Sequence, residues 1–121
     1  MTFEWYNPNK DILKVSITSS GITFYKEVIE AMGSPEYILL GYNDDEKIIA
    51  VKVCGNDDEN KIKFNSKRNN SYIRICDKKF IRFIETKISE NHGRKRNTKI
   101  YLAIWNNDEQ MLYIDLNKSV I

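Results

Sequence analysis

Few residue types in this chain of 121 residues could do chemistry, and their spacing limits them further. The one histidine, His92, sits in the polar stretch ENHGRKRN with no partner motif that would orient it as a general base. Three groups of carboxylates come close together: Asp44 to Glu46, Asp57 to Glu59, and Asp108 with Glu109. All fall in stretches rich in Asn, Asp or Gly that read as turns. Paired acids divide into acid and base when burial or repulsion splits their pKa values, and a solvated turn does neither. None of the three has the alternation of a calcium loop, and His92 with Cys54 and Cys76 falls short of a structural zinc set. GxSxG, P-loop, HExxH and GxGxxG patterns do not occur. The expectation is a non-enzymatic protein that needs no cofactor and no metal.

Charge carries a stronger signal. The net charge is +2, but residues 61–99 hold thirteen basic against three acidic side chains, a net +10. Residues 1–53, with five basic and eight acidic, come to −3. The basic residues that could touch an anionic partner are Lys67 and Arg68 in one polar turn, and Arg94, Lys95 and Arg96 in another. Arg74, Lys78, Lys79 and Arg82 lie between them, and Lys99 follows. Gathered on one surface they would track phosphates or dock on an acidic protein; scattered, they are solubilising charge.

These residues must be held by something, and the sequence writes its framework twice. YNDDEKIIAVKV (42–53) and WNNDEQMLYIDL (105–116) share Asn, Asp and Glu at the same positions and exchange most others like for like. Each reads as the turn and second strand of a hairpin. Ile49, Val51 and Val53, and equally Leu112, Ile114 and Leu116, alternate with period two and form an apolar face. The incoming strands are expected at 36–42 and 99–105. Upstream, Tyr25, Val28, Ile29 and Met32 fall at helical spacing and stop at Gly33 with Pro35 beyond. Asp77 is positioned to cap a helix striped by Phe80, Ile81, Ile84 and Ile88 that ends near 91–93. Two short strands precede each helix, at 12–18 and 22–24, then at 61–64 and 72–76.

The chain therefore reads as one domain over 1–121: a repeat at about 11–54, an acidic linker at 55–60 and a second repeat at about 61–117. The fold class is α+β, mainly β, with two ββαββ repeats forming one small pseudo-two-fold barrel of the swapped-hairpin kind. The second copy is about three residues longer between helix and hairpin. Phe3, Trp5 and Tyr6 in FEWY are expected to cover the core, or else to form a protein-contact tip. Two cysteines outside any CxxC pair fit free thiols in a reducing cytosol. No apolar run is long enough for a transmembrane helix, and the first ten residues lack the pattern of a secretory signal. The expected location is cytoplasmic, as monomer or homodimer.

The run GITFYKEVIEAMG (21–33), followed by the hairpin ending IIAVKV, resembles the AbrB/MazE-type swapped-hairpin domain. Ile22, Thr23, Lys26, Glu27, Val28, Glu30, Ala31 and Gly33 match that family's pattern, and Met32 stands for its usual leucine. Tyr25 replaces its proline and Ile29 the arginine of its helix. The resemblance implies half-barrels that pair and a basic surface that binds DNA. The whole chain is also similar to small proteins of phages and prophages of low-GC Gram-positive bacteria. That similarity runs through Cys54, Asp57, Asp58, Glu59, Asn60, Ile62, Lys63 and Phe64, and through Asp115, Leu116 and Asn117. It implies a small accessory, regulatory or counter-defence role. The leading expectation is thus a binding protein that occupies a host macromolecule as an inhibitor of a host defence system. An AbrB-like DNA-binding regulator and a binder of a small anionic nucleotide are the alternatives.

Overall fold

The computed structural model describes residues 1–3, 13–64, 71–92 and 99–119, with the side chains of 88–92 excepted. In chain order the elements are β1 (Lys14–Thr18), β2 (Gly21–Tyr25), α1 (Lys26–Met32), β3 (Tyr37–Asn43) and β4 (Ile48–Cys54). There follow β5 (Ile62–Lys63), β6 (Tyr72–Ile75), α2 (Lys78–His92), β7 (Lys99–Asn106) and β8 (Met111–Ser119). The eight strands form one antiparallel sheet in the order β5-β3-β4-β8-β7-β1-β2-β6, curled as a half-barrel. The fold is mainly β, with two helices among the described residues, and the strands stand within a residue or two of where alternation places them.

Local chemistry sets the boundaries. In the β3–β4 turn the Asn43 side-chain oxygen accepts the Glu46 N–H at 2.9 Å, and Lys47 takes φ 57°. In the β7–β8 turn Asn106 accepts the Glu109 N–H at 3.0 Å, and Gln110 takes φ 56°. Asn at the first position thus holds each loop closed, and one left-handed residue returns the chain to the sheet. α1 ends on Gly33 at φ 81°, whose N–H reaches the Glu30 carbonyl at 3.1 Å. A left-handed residue ends a helix at least cost when it lacks a Cβ. Asp77 caps α2 through the Phe80 N–H at 3.0 Å.

The concave face holds the core. Ile49, Val51, Leu112 and Ile114 are fully buried, and Leu116 nearly so. Their strand neighbours Ile48, Ala50, Met111, Tyr113 and Asp115 are half-exposed on the other face, and Lys52 is exposed. Val15, Ile17, Ile22, Phe24, Ile73 and Ile75 extend the core across β1, β2 and β6, and Val28, Ile29, Ile81 and Ile84 close it from the helices. The two ends of the sheet approach each other through aromatic packing. Phe64, beyond β5, donates its N–H to the Glu36 carbonyl at 2.8 Å and sets its ring edge-on to Phe24 of β2 at 5.2 Å. β5 and β6 make no ladder among the described residues.

One expectation concerning the core changes. Phe3 is 61% exposed, so it does not cover the core, while Trp5 and Tyr6 lie outside the described residues. Cys54 and Cys76 are free thiols. Among the described residues no helix is long and apolar enough to cross a membrane.

Two tyrosines generate opposite predictions from one change. The Tyr101 hydroxyl is buried without a hydrogen-bond partner, and burial raises its pKa; Tyr25 instead donates to the Ser16 hydroxyl at 3.0 Å. An unmet buried polar group costs about 1–3 kcal/mol, whereas a made hydrogen bond contributes about 0.5–1.5 kcal/mol. Urea denaturation should find Tyr101→Phe more stable by about 1 kcal/mol and Tyr25→Phe less stable by a similar amount. Destabilisation by both would mean that the Tyr101 hydroxyl has a partner.

Candidate functional site

Of the ten basic residues singled out in the sequence, five fall on described positions. Lys67, Arg68, Arg94, Lys95 and Arg96 lie outside the described residues, as does the His92 side chain. Arg74, Lys78, Lys79 and Arg82 are all exposed, whereas Lys99 is half-buried.

Arg74 is on β6, an end strand, in the alternate register to buried Ile73 and Ile75, so its side chain stands on the convex face. Its Nε donates to the Thr23 hydroxyl at 3.0 Å, and the guanidinium lies 5.5 Å from the centre of the Tyr72 ring. Thr23 is its direct cross-strand partner on β2. Two contacts therefore fix the guanidinium plane while the residue stays exposed. An arginine held this way loses less conformational entropy when it meets an anion than a mobile one does.

Four residues further on, α2 begins. Ile81 and Ile84 bury its inner stripe. Lys78, Lys79 and Arg82 are all exposed, and at 3.6 residues per turn they lie on the face turned from that stripe. Among the described residues no carboxylate makes an ion pair with any of the three. Their placement does not help the helix. No acid lies in its first turn, and two lysines there oppose the macrodipole at about 0.3–1 kcal/mol each, offset in part by the Asp77 cap.

Lys99 is half-buried and pairs across the ladder with Ile17, on the core-side row of β7 and β1. It therefore does not join Arg74 on the convex face. Lys87, near the middle of α2, is also engaged. It bonds Asp44 at 3.1 Å and lies 5.4 Å from the Phe83 ring, while Phe83 meets Tyr42 of β3 edge-on at 5.2 Å. These contacts dock α2 onto the β3–β4 hairpin. They are structural, and they distinguish Lys87 from Lys78, Lys79 and Arg82, which have no ion-pair partner among the described residues.

The carboxylates act structurally too. Asp58 accepts the Asn60 N–H at 3.1 Å, Asp115 accepts the Asn117 N–H at 2.9 Å, and Glu109 accepts the Tyr113 hydroxyl. Each spends its oxygens on a turn, a strand end or a neighbouring ring. Cys54 carries a thiol whose pKa is raised, first by burial and then by the nearby Asp58, the opposite of what a nucleophilic thiolate needs.

Sequence reasoning reached Arg74, Lys78, Lys79 and Arg82 through charge density. It missed Tyr72 and Thr23, which contact Arg74, and Tyr25 and Ser16, which share its face. Tyr72 and Arg74 are two apart in one strand and so share a face, which was readable. That β6 lies beside β2, bringing in the other three, was not.

The Lys87–Asp44 contact yields a pH prediction. Lys87, as hydrogen-bond donor and as charge, holds the exposed Asp44 carboxyl below its ordinary value of 3.8, with Lys47 adding to the effect. A carboxylate depressed in the folded state contributes stability above its unfolded pKa, and that contribution is lost as pH falls through the folded value. In a side-chain carboxyl NMR titration Asp44 should titrate below the ordinary value, and Lys87→Met should return it most of the way. An unchanged midpoint in the variant would contradict the contact.

Compared with protein-family models, with curated proteins and with solved structures, the chain matches none.

Proposed function

We propose that this chain is a non-enzymatic binding protein that occupies a polyanionic macromolecular partner through the surface formed by β6 and the first half of α2. The observation that carries the reading is the row Lys78, Lys79 and Arg82, exposed, without ion-pair partners among the described residues and close in the chain to the pre-oriented Arg74. Solubilising charge is normally interspersed with the opposite sign. Here several acids, Asp44, Asp58, Glu109 and Asp115, are engaged elsewhere, and the three cations face outward. The similarity to small phage and prophage proteins supports a setting in which that partner belongs to the host and is inhibited by being occupied, as a host defence component would be.

The scaffold, on this reading, is a half-barrel duplicated within one chain. A shift of 63 residues carries Tyr42 to Trp105, and it also carries Ala50 to Tyr113, which are direct cross-strand partners. The same shift turns the pair Ile48–Asp115 into Met111–Lys52, also a pair. It turns the bond from Val53 N–H to the Gln110 carbonyl, 3.0 Å, into that from Leu116 N–H to the Lys47 carbonyl, 2.9 Å. A shift of 51 carries Thr23 to Arg74, again direct partners. Exchanging β1–β4 for β5–β8 maps every strand pairing onto another or onto itself, except β1 with β2. This supports a pseudo-two-fold passing through both pairs, with the aromatic contact of Phe24 and Phe64 near the place of the pairing that has no counterpart. A duplicated half needs no second chain to cover its core, so the protein is expected to be a monomer in solution.

Duplex DNA is the second reading. It is favoured by one observation, that the cations line the outer face of a helix, the element that fits a major groove. The two are separated by a titration of Lys78→Glu/Lys79→Glu/Arg82→Glu against duplex DNA over a range of salt, paired with capture of host proteins by the wild-type chain. A regulator should bind duplex with a log–log salt slope that falls by about 2.7 in the variant, near 0.9 per lost phosphate contact. An inhibitor should bind duplex weakly and capture one host macromolecule at defined stoichiometry, and the variant should lose it. Full retention of every partner by the variant would contradict both.

A further inference from the structure

We propose that the convex face of β1, β2 and β6 binds single-stranded nucleic acid, with Tyr25 and Tyr72 stacking on bases and Arg74 and Lys14 meeting phosphates. This rests on the binding reading above and names its partner. Two cross-strand rows build the face. In one, Ile100 of β7, Ser16, Thr23 and Arg74 follow each other across β1, β2 and β6. In the other, Tyr25 and Tyr72 are direct partners, and Lys14 stands two residues before Ser16 on the same side of β1. No carboxylate occurs in the sequences of these three strands.

The hydroxyls give the geometry away. Ser16 and Thr23 are each only 4% exposed, although they point away from the core. Their two bonding partners, Tyr25 and Arg74, cover them. Tyr25 reaches from β2 to Ser16 of the neighbouring strand, so its ring lies along the sheet instead of standing off it. Arg74 is laid down in the same way, between Thr23 and the Tyr72 ring. The close approach of β6 to β2 depends on Gly21, where a Cβ would fall 2.5 Å from the Ile75 carbonyl oxygen and 3.2 Å from Cγ of Arg74. The result is a flat surface of half-buried rings and a guanidinium plane with unmatched positive charge beside it. Along the chain, β6 leads through Cys76 and Asp77 to Lys78 and Lys79, both exposed in the first turn of α2.

Such a surface discriminates among polyanions. An acidic protein would use the cations and have no need of rings laid flat. A duplex buries its base faces in its own stack, so it too would meet only the cations. Unpaired bases offer a π-face to a ring or guanidinium plane, and sheet platforms of this chemistry hold single strands.

The test is fluorescence anisotropy with labelled twelve-nucleotide thymidine and uridine strands and a duplex of equal length, at low and physiological salt. Arg74→Lys keeps the charge but loses the planar fork, and Tyr72→Leu keeps apolar bulk but loses the ring; both should melt within a few degrees of wild type. The wild-type chain should prefer single strands, and each variant should bind them about 5- to 100-fold more weakly. Equal binding by both variants, or a preference for duplex, overturns the proposal. Weakening confined to the α2 charge-reversal variant also overturns it, while leaving the binding function standing. Binding to polyglutamate but to no oligonucleotide would identify an acidic protein partner instead, and binding to neither would sink the polyanion reading as well.

Discussion

The ladder between β4 and β8 is the constraint on which the rest depends. Each hairpin exposes an apolar row, Ile49 and Val51 on one, Leu112 and Ile114 on the other, that it cannot cover alone. Five consecutive residue pairs join the two second strands, and one backbone bond continues the join at each end, Val53 to Gln110 and Leu116 to Lys47. Without this seam the sheet divides into β5-β3-β4 and β8-β7-β1-β2-β6. With it, the curl brings Phe64 from one end against Phe24 at the other. A register slip of one residue at the seam would turn the slipped strand's apolar row to solvent, so burial fixes the pairing.

The surface follows from that closure. α2 is docked by Phe83 on Tyr42 and Lys87 on Asp44, that is, onto the hairpin of the first half. The docking orients the remaining cations outward. β6, held against β2 through Gly21 and the Thr23–Arg74 bond, fixes the arginine on the convex face. Binding of the proposed kind needs no reactive group, only a shape and a sign of charge complementary to the partner's. The binding reading draws on that economy, and the duplication proposed for the scaffold explains how a short chain builds it without a second subunit.

Much of the scaffold was legible in the sequence because it depends on local rules. Period-two alternation at 49–53 and 112–116 located the buried rows, and Asn43 and Asn106 marked the turns by their capacity to bond their own backbone. Gly33 and Asp77 marked where one helix stops and the other starts. Long-range pairing was not legible. Nothing in the spacing of Thr23 and Arg74 says that they are neighbours, since strands 51 residues apart meet only after the core closes. The same gap separates the two halves of the site. Charge density found Lys78, Lys79 and Arg82, but it also gathered Lys99, which the ladder places on the core-side row. Tyr25 shows the reverse. It departs from the AbrB-like pattern at a proline position, and its ring bonds Ser16 while its backbone caps α1 in an extended conformation.

The most direct test is an amide NMR titration of the intact, labelled chain with a short thymidine strand. The account predicts shifts confined to Lys14, Ser16, Thr23, Tyr25, Tyr72 and Arg74 and to the first turn of α2, with the β4–β8 seam unmoved. Shifts centred on β3, β4 and β8 would place the partner on another face. A spectrum unchanged at low salt would contradict the central claim that this cationic, aromatic face is the working surface of the protein.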